Sequence, residues 1–396
     1  LQDHVRFLAS DSLKGRLTGS EGDSLAALYI REQLMMAGLV PLSSDGFQRL
    51  EVTDRVTPGL NNFLSVNGMT FTPSTDFMPF SFSGNSGLEA GVVFAGYGFE
   101  ISSDTLTWND YRQIDVKGKW VLMLRGDPEP QKSVSGFIPF SNDRDKVMLA
   151  KDMGASGVLM VSGPIMDEQD SFEILPTGDY SVEIPVLRIK RKVADMILMA
   201  NNTTIADLER KINESKKPEG FQTSANVYGG SEVIRKKSAT RNVIMLLPGE
   251  DELLRDEYII IGAHFDHLGL GGSSSRLQDT VAVHYGADDN ASGVSAVIEL
   301  AEKFALTKGT HKRGIIFAAF SGEESGLLGS KHFTDNPVID LSKVNAMINL
   351  DMVGRLQDSS FLQVGGVGTA EGLEDLVKSL GDTNQVRLSF SEEGYG

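Results

Sequence analysis

The most constraining feature of this sequence is the alternation of unbroken apolar runs with helical stretches from Ser238 onward. The runs "YIIIGAH", "GIIFAAFSG" and "NAMINLDMVG" are typical of strands buried on both faces, while "VSAVIELAEKFAL" and "GLEDLVKSLGD" have helical spacing. This alternation predicts an α/β fold whose central sheet is mixed but mostly parallel, with helices on both faces. Ligands of such sheets bind at the carboxyl ends of the strands.

The rest of the chain suggests a discontinuous domain interrupted by an insert. A length of 396 residues exceeds what one compact core usually holds. Residues 1–52 contain two amphipathic stretches, predicted as helices over Asp3–Ser10 and Ser24–Gly38, with Ser20 as a candidate N-cap. Residues 53–235 contain short β-rich runs bounded by Gly and Pro, together with helical stretches. We therefore expect residues 1–52 to join residues 236–396 in one domain, and residues 53–235 to form an inserted β-rich α/β domain.

Composition excludes several classes of function. The formal net charge of −17 argues against a nucleic-acid partner, because phosphate binding needs a basic surface. The chain has no cysteine, so neither disulfides nor thiol chemistry can operate. No apolar run is long enough to span a bilayer.

Histidine and carboxylate residues occur in four separate segments, three of them just past predicted strands and one in a glycine-bounded loop ahead of the helix that starts near Gly293. Because the carboxyl ends of parallel strands meet at one edge of a sheet, we expect these residues to converge. They are His264 and Asp266 after "YIIIGA", Asp288 and Asp289 in "GADDNASG", Glu323 and Glu324 after "GIIFAAFSG", and Asp351 in "NLDMVG".

So many carboxylates in one place would repel one another unless a cation lay among them. Mixed imidazole and carboxylate ligands suit zinc, with manganese or cobalt as alternatives, and a bridging carboxylate between two cations is typical of hydrolytic sites. One carboxylate must stay unligated to act as the proton acceptor. The pattern therefore predicts a metal-dependent hydrolytic centre.

The order H-x-D, GADDNASG, EE-x-G and NLDMVG resembles the co-catalytic zinc exopeptidases of metallopeptidase family twenty-eight. That family includes secreted bacterial aminopeptidases, the glutamate carboxypeptidase branch and the glutaminyl cyclases. The segment "FLASDSLKGRLTGSEG" is similar to the family's N-terminal segment. The middle segments "VKGKWVLMLRGDP" and "AKDMGASGVLMV" resemble a protease-associated domain.

The resemblance implies a set of metal ligands and a cofactor. His264 and Asp351 would be terminal ligands of one zinc ion, and Glu324 a terminal ligand of a second. Asp289 would bridge the two ions.

The resemblance also implies roles for residues that bind no metal. Glu323 would be the general base that takes a proton from a metal-activated water, and Asp266 would orient His264 through its other ring nitrogen. Asp288 would be a neighbour of the site, and His267 would have a structural or outer role.

One ligand of the resemblance has no counterpart. The family supplies a second ligand histidine beyond the NLDMVG strand, and no histidine follows His332 here. We expect the chain to be shorter than its gene product, with the second metal held weakly; a natural loss of this histidine is the alternative.

The expected function is a zinc-dependent aminopeptidase acting on peptides. A carboxypeptidase, a glutaminyl-peptide cyclotransferase with a single zinc and a catalytically impaired binding homologue are the alternatives. A start without Met, the absence of cysteine and the resemblance suggest an exported bacterial protein, periplasmic or secreted, with a lipid anchor left open.

Overall fold

A computed structural model describes residues 1–391 except 104, 173–174, 176–179, 272–280, 308 and 357–360. The helices, in chain order, are α1 Gln2–Leu8, α2 Glu21–Met36, α3 Asp143–Asp152, α4 Arg191–Leu198, α5 Ile205–Ser215, α6 Gly293–Leu306, α7 Leu328–Asp335 and α8 Leu373–Asn384. Among the described residues, no helix combines the length and apolar content needed to cross a membrane.

The strands complete the inventory of regular elements. They are β1 Val40–Pro41, β2 Phe47–Pro58, β3 Phe63–Val66, β4 Met69–Thr70, β5 Phe77–Pro79, β6 Ser86–Ala95, β7 Glu100–Ser102, β8 Thr107–Asn109, β9 Trp120–Leu124, β10 Gly157–Val161, β11 Val186–Ile189, β12 Gly220–Ser231, β13 Val233–Leu247, β14 Tyr258–His264, β15 Gly314–Phe320, β16 Val344–Asn349, β17 Leu362–Val364 and β18 Leu388–Phe390.

The chain divides into two units, and the first is discontinuous. Leu1–Val52 and Ser238–Gly396 form the first unit, and Thr53–Lys237 forms the second. The first unit contains a sheet with the order β1-β13-β15-β14-β16, to which β2 adds by pairing with β13. β14 runs parallel to both β15 and β16, while β13 is antiparallel to β15.

Helices cover both faces of this first sheet. On one face, α1, α2 and α6 pack against a core that includes Met245, Ala263 and Phe317. On the other face, Phe333 of α7 packs on Phe320 and its neighbours. The alternation of side chains along each strand explains why one unbroken apolar run serves both cores. The predicted mixed α/β fold is confirmed.

The N-terminal helices begin and end close to the predicted positions. The Ser20 hydroxyl accepts a hydrogen bond from the Asp23 amide and so caps α2, as its sequence position predicted. Buried Ala26, Ile30 and Leu34 recur at helical spacing and place α2 on the sheet. These contacts belong to the discontinuous first unit.

The second unit is a β-rich α/β structure with its own core. Its eight-stranded sheet has the order β4-β3-β12-β6-β9-β10-β11-β5. The parallel strands β9, β10 and β11 are buried along their whole length. Helices α4 and α5 pack on one face and α3 on the other, so the sheet again has two apolar cores.

Candidate metal centre

β14 delivers the first predicted site residue to the edge of the sheet. Strand β14 lies between β15 and β16. Its last residue is His264, which is buried. Main-chain pairing continues one residue further, because the Phe265 amide donates to the Phe320 carbonyl at 2.9 Å. The imidazole therefore extends from a fixed backbone at the carboxyl end of the strand, where α/β sheets bind ligands.

Three carboxylates from three other segments surround this imidazole. His264 Nε2 lies 3.2 Å from Asp289 Oδ1, 3.5 Å from Asp351 Oδ1 and 3.9 Å from Glu323 Oε2. The donor atoms of His264, Asp289 and Asp351 all lie within 4.8 Å of one another, close enough to hold one metal ion. The structure thus brings together residues that are far apart in sequence.

A second group of donors shares Asp289 with the first. His267 Nδ1 lies 2.6 Å from Glu324 Oε1, and His267, Asp289 and Glu324 offer ligand atoms within 4.8 Å of one another. Asp289 therefore lies between two groups, where a bridging carboxylate would lie. The proximity of His267 to Glu324 was not predicted from the sequence; the only sequence signal is its place one residue after Asp266 in H-x-D-H.

The segments that carry Asp289 and Asp351 are tied to each other by their neighbours. Asp288 Oδ1 accepts from the Gly354 amide at 2.8 Å, and its Oδ2 accepts from Arg355 Nε. Asn290 Oδ1 accepts from the Met352 amide at 3.2 Å, and its Nδ2 donates to the Leu350 carbonyl at 2.9 Å. The residues flanking Asp289 thus fix the backbone on both sides of Asp351.

Asp266 is fully buried and holds the loop that carries both glutamates. Its carboxylate accepts from the Thr18 hydroxyl at 2.8 Å, the Glu323 amide at 3.1 Å and the Glu324 amide at 3.3 Å. Its Oδ1 lies 3.7 Å from His264 Nδ1, which is longer than a hydrogen bond. Within the described residues, His264 Nδ1 has no hydrogen-bond partner. The orienting role of Asp266 toward His264 therefore stays a prediction.

The electrostatics of this centre favour a bound cation. Burial alone would lower the pKa of His264, but Asp266, Asp289 and Asp351 outweigh it and raise that pKa to about 12. The same contact with His264 lowers the pKa of Asp289. Burial raises the pKa of Glu323; the charge of His264 opposes this rise, while the negative charges of Asp266, Glu324 and Asp351 add to it. The carboxylates thus hold a proton on the imidazole in the absence of a metal, and imidazole with carboxylate oxygens is a donor set that fits zinc.

Comparison with known families adds an independent finding. Residues 242–395 match Peptidase family M28, and residues 88–197 match the PA domain. The first match covers every predicted ligand, and the second lies within the second unit. The boundaries of the two matches therefore agree with the division of the chain into units.

Individual relatives resemble the chain at moderate identity. It is 24% identical over 352 residues to "Aminopeptidase YwaD" of Bacillus subtilis, a match covering 87% of this chain and 60% of that protein. It is 39% identical over 112 residues to the "Probable zinc metalloprotease" of Pyrenophora teres f. teres, covering 28% of this chain and 22% of that protein. The chain thus spans less than two thirds of these relatives.

Solved structures share the fold over nearly the whole chain. The aminopeptidase from Aneurinibacillus sp. strain AM-1 superposes with a TM-score of 0.57 at 22% identity, covering 99% of this chain and 79% of that one. A zinc aminopeptidase from Bacillus subtilis gives a TM-score of 0.51 at 21% identity, covering 100% of this chain and 79% of that one.

Proposed function

The chain carries a domain of peptidase family M28 together with a PA domain, and on this premise we propose that it is a metal-dependent aminopeptidase acting on peptides. The observation that carries the proposal is the convergence of His264, Asp289, Glu323 and Asp351 from four separate segments onto one point at the sheet edge. In the same proposal, the first unit is the peptidase domain, and the second unit is an insert that contains the PA domain.

Two zinc ions are the cofactor that the donor groups suit. His264, Asp289 and Asp351 would hold the first ion, and Asp289 and Glu324 would hold the second, with the His267 imidazole as a further donor. This second group favours a two-ion aminopeptidase over a cyclotransferase with a single zinc. Zinc supplies Lewis-acid polarisation of the peptide carbonyl and acidifies water.

Glu323 is the residue that we assign to proton transfer. It is half-buried, and its Oε2 lies 3.9 Å from His264 Nε2, so it faces the same point as the ligands without belonging to either donor group. Glu323 accepts the proton of the attacking water and passes it to the leaving amine.

Three further residues hold the backbone of the segments that carry the ligands and the base. Asp266 accepts hydrogen bonds from the Glu323 and Glu324 amides and so fixes the backbone from which both side chains extend. Asp288 and Asn290 fix the Asp351 segment. Export from a bacterial cell, expected from the sequence, stays a prediction.

The test is made on the full chain purified without chelators. Elemental analysis should find zinc, aminoacyl anilides and short peptides should be cleaved from the N-terminus, and chelation should abolish cleavage until zinc is restored. Asp351→Asn should lower both zinc content and turnover, whereas Asp335→Asn, at the exposed end of α7, should change neither. Zinc-loaded protein that releases no amino acid from a broad peptide panel, or that releases only ammonia from N-terminal glutamine, would refute the proposal.

A further inference from the structure

Arg16 is a fully buried arginine directly behind the candidate metal centre. It comes from the segment between α1 and α2, and its side chain is 0% exposed. Its backbone adopts the left-handed conformation, with φ of 49°. Burying a guanidinium is costly unless its N–H groups are satisfied, so the partners of this side chain indicate what it does.

The guanidinium donates to main-chain carbonyls of two ligand-bearing loops. Nε donates to the Phe265 carbonyl at 2.7 Å, Nη1 to the Tyr285 carbonyl at 2.9 Å and Nη2 to the Gly286 carbonyl at 2.9 Å. Nη1 also donates to the Leu8 carbonyl. Phe265 lies between His264 and Asp266, and Tyr285 and Gly286 precede the loop that carries Asp289. One planar group therefore joins the two loops.

The main chain of the same segment adds to this connection. The Arg16 carbonyl accepts from the His267 amide at 3.1 Å, and the Gly15 carbonyl accepts from the Gly269 amide at 3.0 Å. The fit around Gly286 is tight, because a Cβ added there would lie 2.4 Å from the Asp289 carbonyl oxygen and 2.6 Å from both Arg16 Nη2 and His267 Cδ2. The guanidinium thus lies in close contact with the loop that carries Asp289.

The charge of Arg16 also suits its position. Burial lowers its pKa to about 10, while Asp266, Asp289 and Glu324 act in the opposite direction. The group stays protonated at neutral pH and partly offsets the repulsion among these carboxylates before any metal binds. A lysine would supply the charge but could not donate to four carbonyls from one planar group.

We propose that Arg16 is a positioning residue of the metal centre, which holds the His264 loop and the Asp289 loop at the separation that metal binding requires. The inference rests on the proposed function, since it concerns the same ligands. In this proposal Arg16 acts through the loops and binds neither substrate nor metal, since four of its five N–H groups donate to main-chain carbonyls. Without the Arg16 side chain, metal binding would also have to order the two loops, and this would reduce the net binding free energy of the metal.

The test compares zinc affinity and stability in the full chain. Arg16→Gly tolerates the left-handed backbone and leaves a cavity shaped for a guanidinium. We expect its zinc affinity, measured by competition with a chromophoric chelator, to fall about 10- to 100-fold, as for loss of other groups that orient ligands. Methylguanidinium, added well below denaturing concentrations, should restore part of the affinity, and Arg16→Lys should not recover it.

A matched control separates positioning from general stability. Arg188→Ala removes another buried arginine, in the second unit, where it contacts Ser162 and Asp167. It should lower the free energy of unfolding without changing zinc affinity. If Arg16→Gly does not fold, Arg16→Lys keeps the positive charge without the planar group and should weaken zinc binding in the same way.

The outcomes distinguish this inference from the proposed function. Wild-type protein that binds no zinc would refute the proposed function. Wild-type protein that binds zinc, together with folded Arg16→Gly or Arg16→Lys of unchanged affinity, would refute only the role of Arg16.

Discussion

Asp266→Asn should weaken metal binding even though Asp266 belongs to neither donor group. The carboxylate is fully buried and receives three hydrogen bonds, from the Thr18 hydroxyl and the Glu323 and Glu324 amides. An asparagine amide has one oxygen and one NH₂ group, so in either orientation the NH₂ group faces a backbone N–H at a distance near 3 Å. The substitution also removes the negative charge 3.7 Å from His264 Nδ1.

The expected effects of Asp266→Asn on stability and on zinc affinity follow from these contacts. One buried N–H left without an acceptor costs about 1–3 kcal/mol of unfolding free energy. The loop carrying Glu323 and Glu324 would lose its anchor, and groups of this kind contribute about 10- to 100-fold to metal affinity. Zinc affinity should therefore fall by that factor, in addition to the loss of stability.

Competition with a chromophoric chelator measures the affinity, and urea unfolding of the metal-free protein measures the stability. Asp110→Asn is the matched control, because Asp110 is a buried aspartate of the second unit that accepts from the Tyr97, Phe99 and Glu219 amides. Asp110→Asn should lower the free energy of unfolding by a similar amount and leave zinc affinity unchanged. Unchanged zinc affinity in folded Asp266→Asn would show that the carboxylate has no part in holding the site.

Two further predictions concern the proton acceptor and a buried lysine. Glu323→Gln should reduce turnover at least about 100-fold with zinc content unchanged, and near-normal turnover would move the base elsewhere. Burial lowers the pKa of Lys146 from 10.5 to about 8, so the unfolded chain keeps a proton that the folded protein loses between these values. The unfolding free energy should therefore rise with pH across this window by about 3 kcal/mol relative to Lys146→Met. Fluorescence of Trp108 and Trp120, both buried in the second unit, reports this unfolding, and parallel pH curves for the two proteins would contradict the prediction.

The central sheet, and the edge of it where the candidate metal ligands lie, could be predicted from the sequence because both depend on local patterns. Unbroken apolar runs predict β14 and β15, and residues just past their ends must lie at the sheet edge whatever the rest of the chain does. For the same reason, the proximity of His264 and Asp351 could be expected without knowing any distance, whereas Asp289 comes from the loop before α6. The roles assigned to these residues remain proposals.

The parts of the site that were missed depend on contacts distant in sequence. Arg16 and Thr18 lie in a glycine-rich loop, where polar residues are usually exposed, and nothing local indicates that both would be buried against residues 265 and 266. His267 follows Asp266 at a spacing that does not determine which way its ring turns. Its contact with Glu324 depends on how the loop after β15 folds back.

The discontinuity of the first unit has a consequence for synthesis on the ribosome. The chain leaves that unit within β2 and returns within β13, so Thr53–Lys237 emerges complete before the strands that α2 needs. Domains generally fold as units during translation, so the second unit can become native while the apolar side of α2, with Ala26, Ile30 and Leu34, still has no sheet to cover it. At this stage α2 therefore needs chaperone protection, and slowing translation beyond Lys237 should increase the aggregation of incomplete chains.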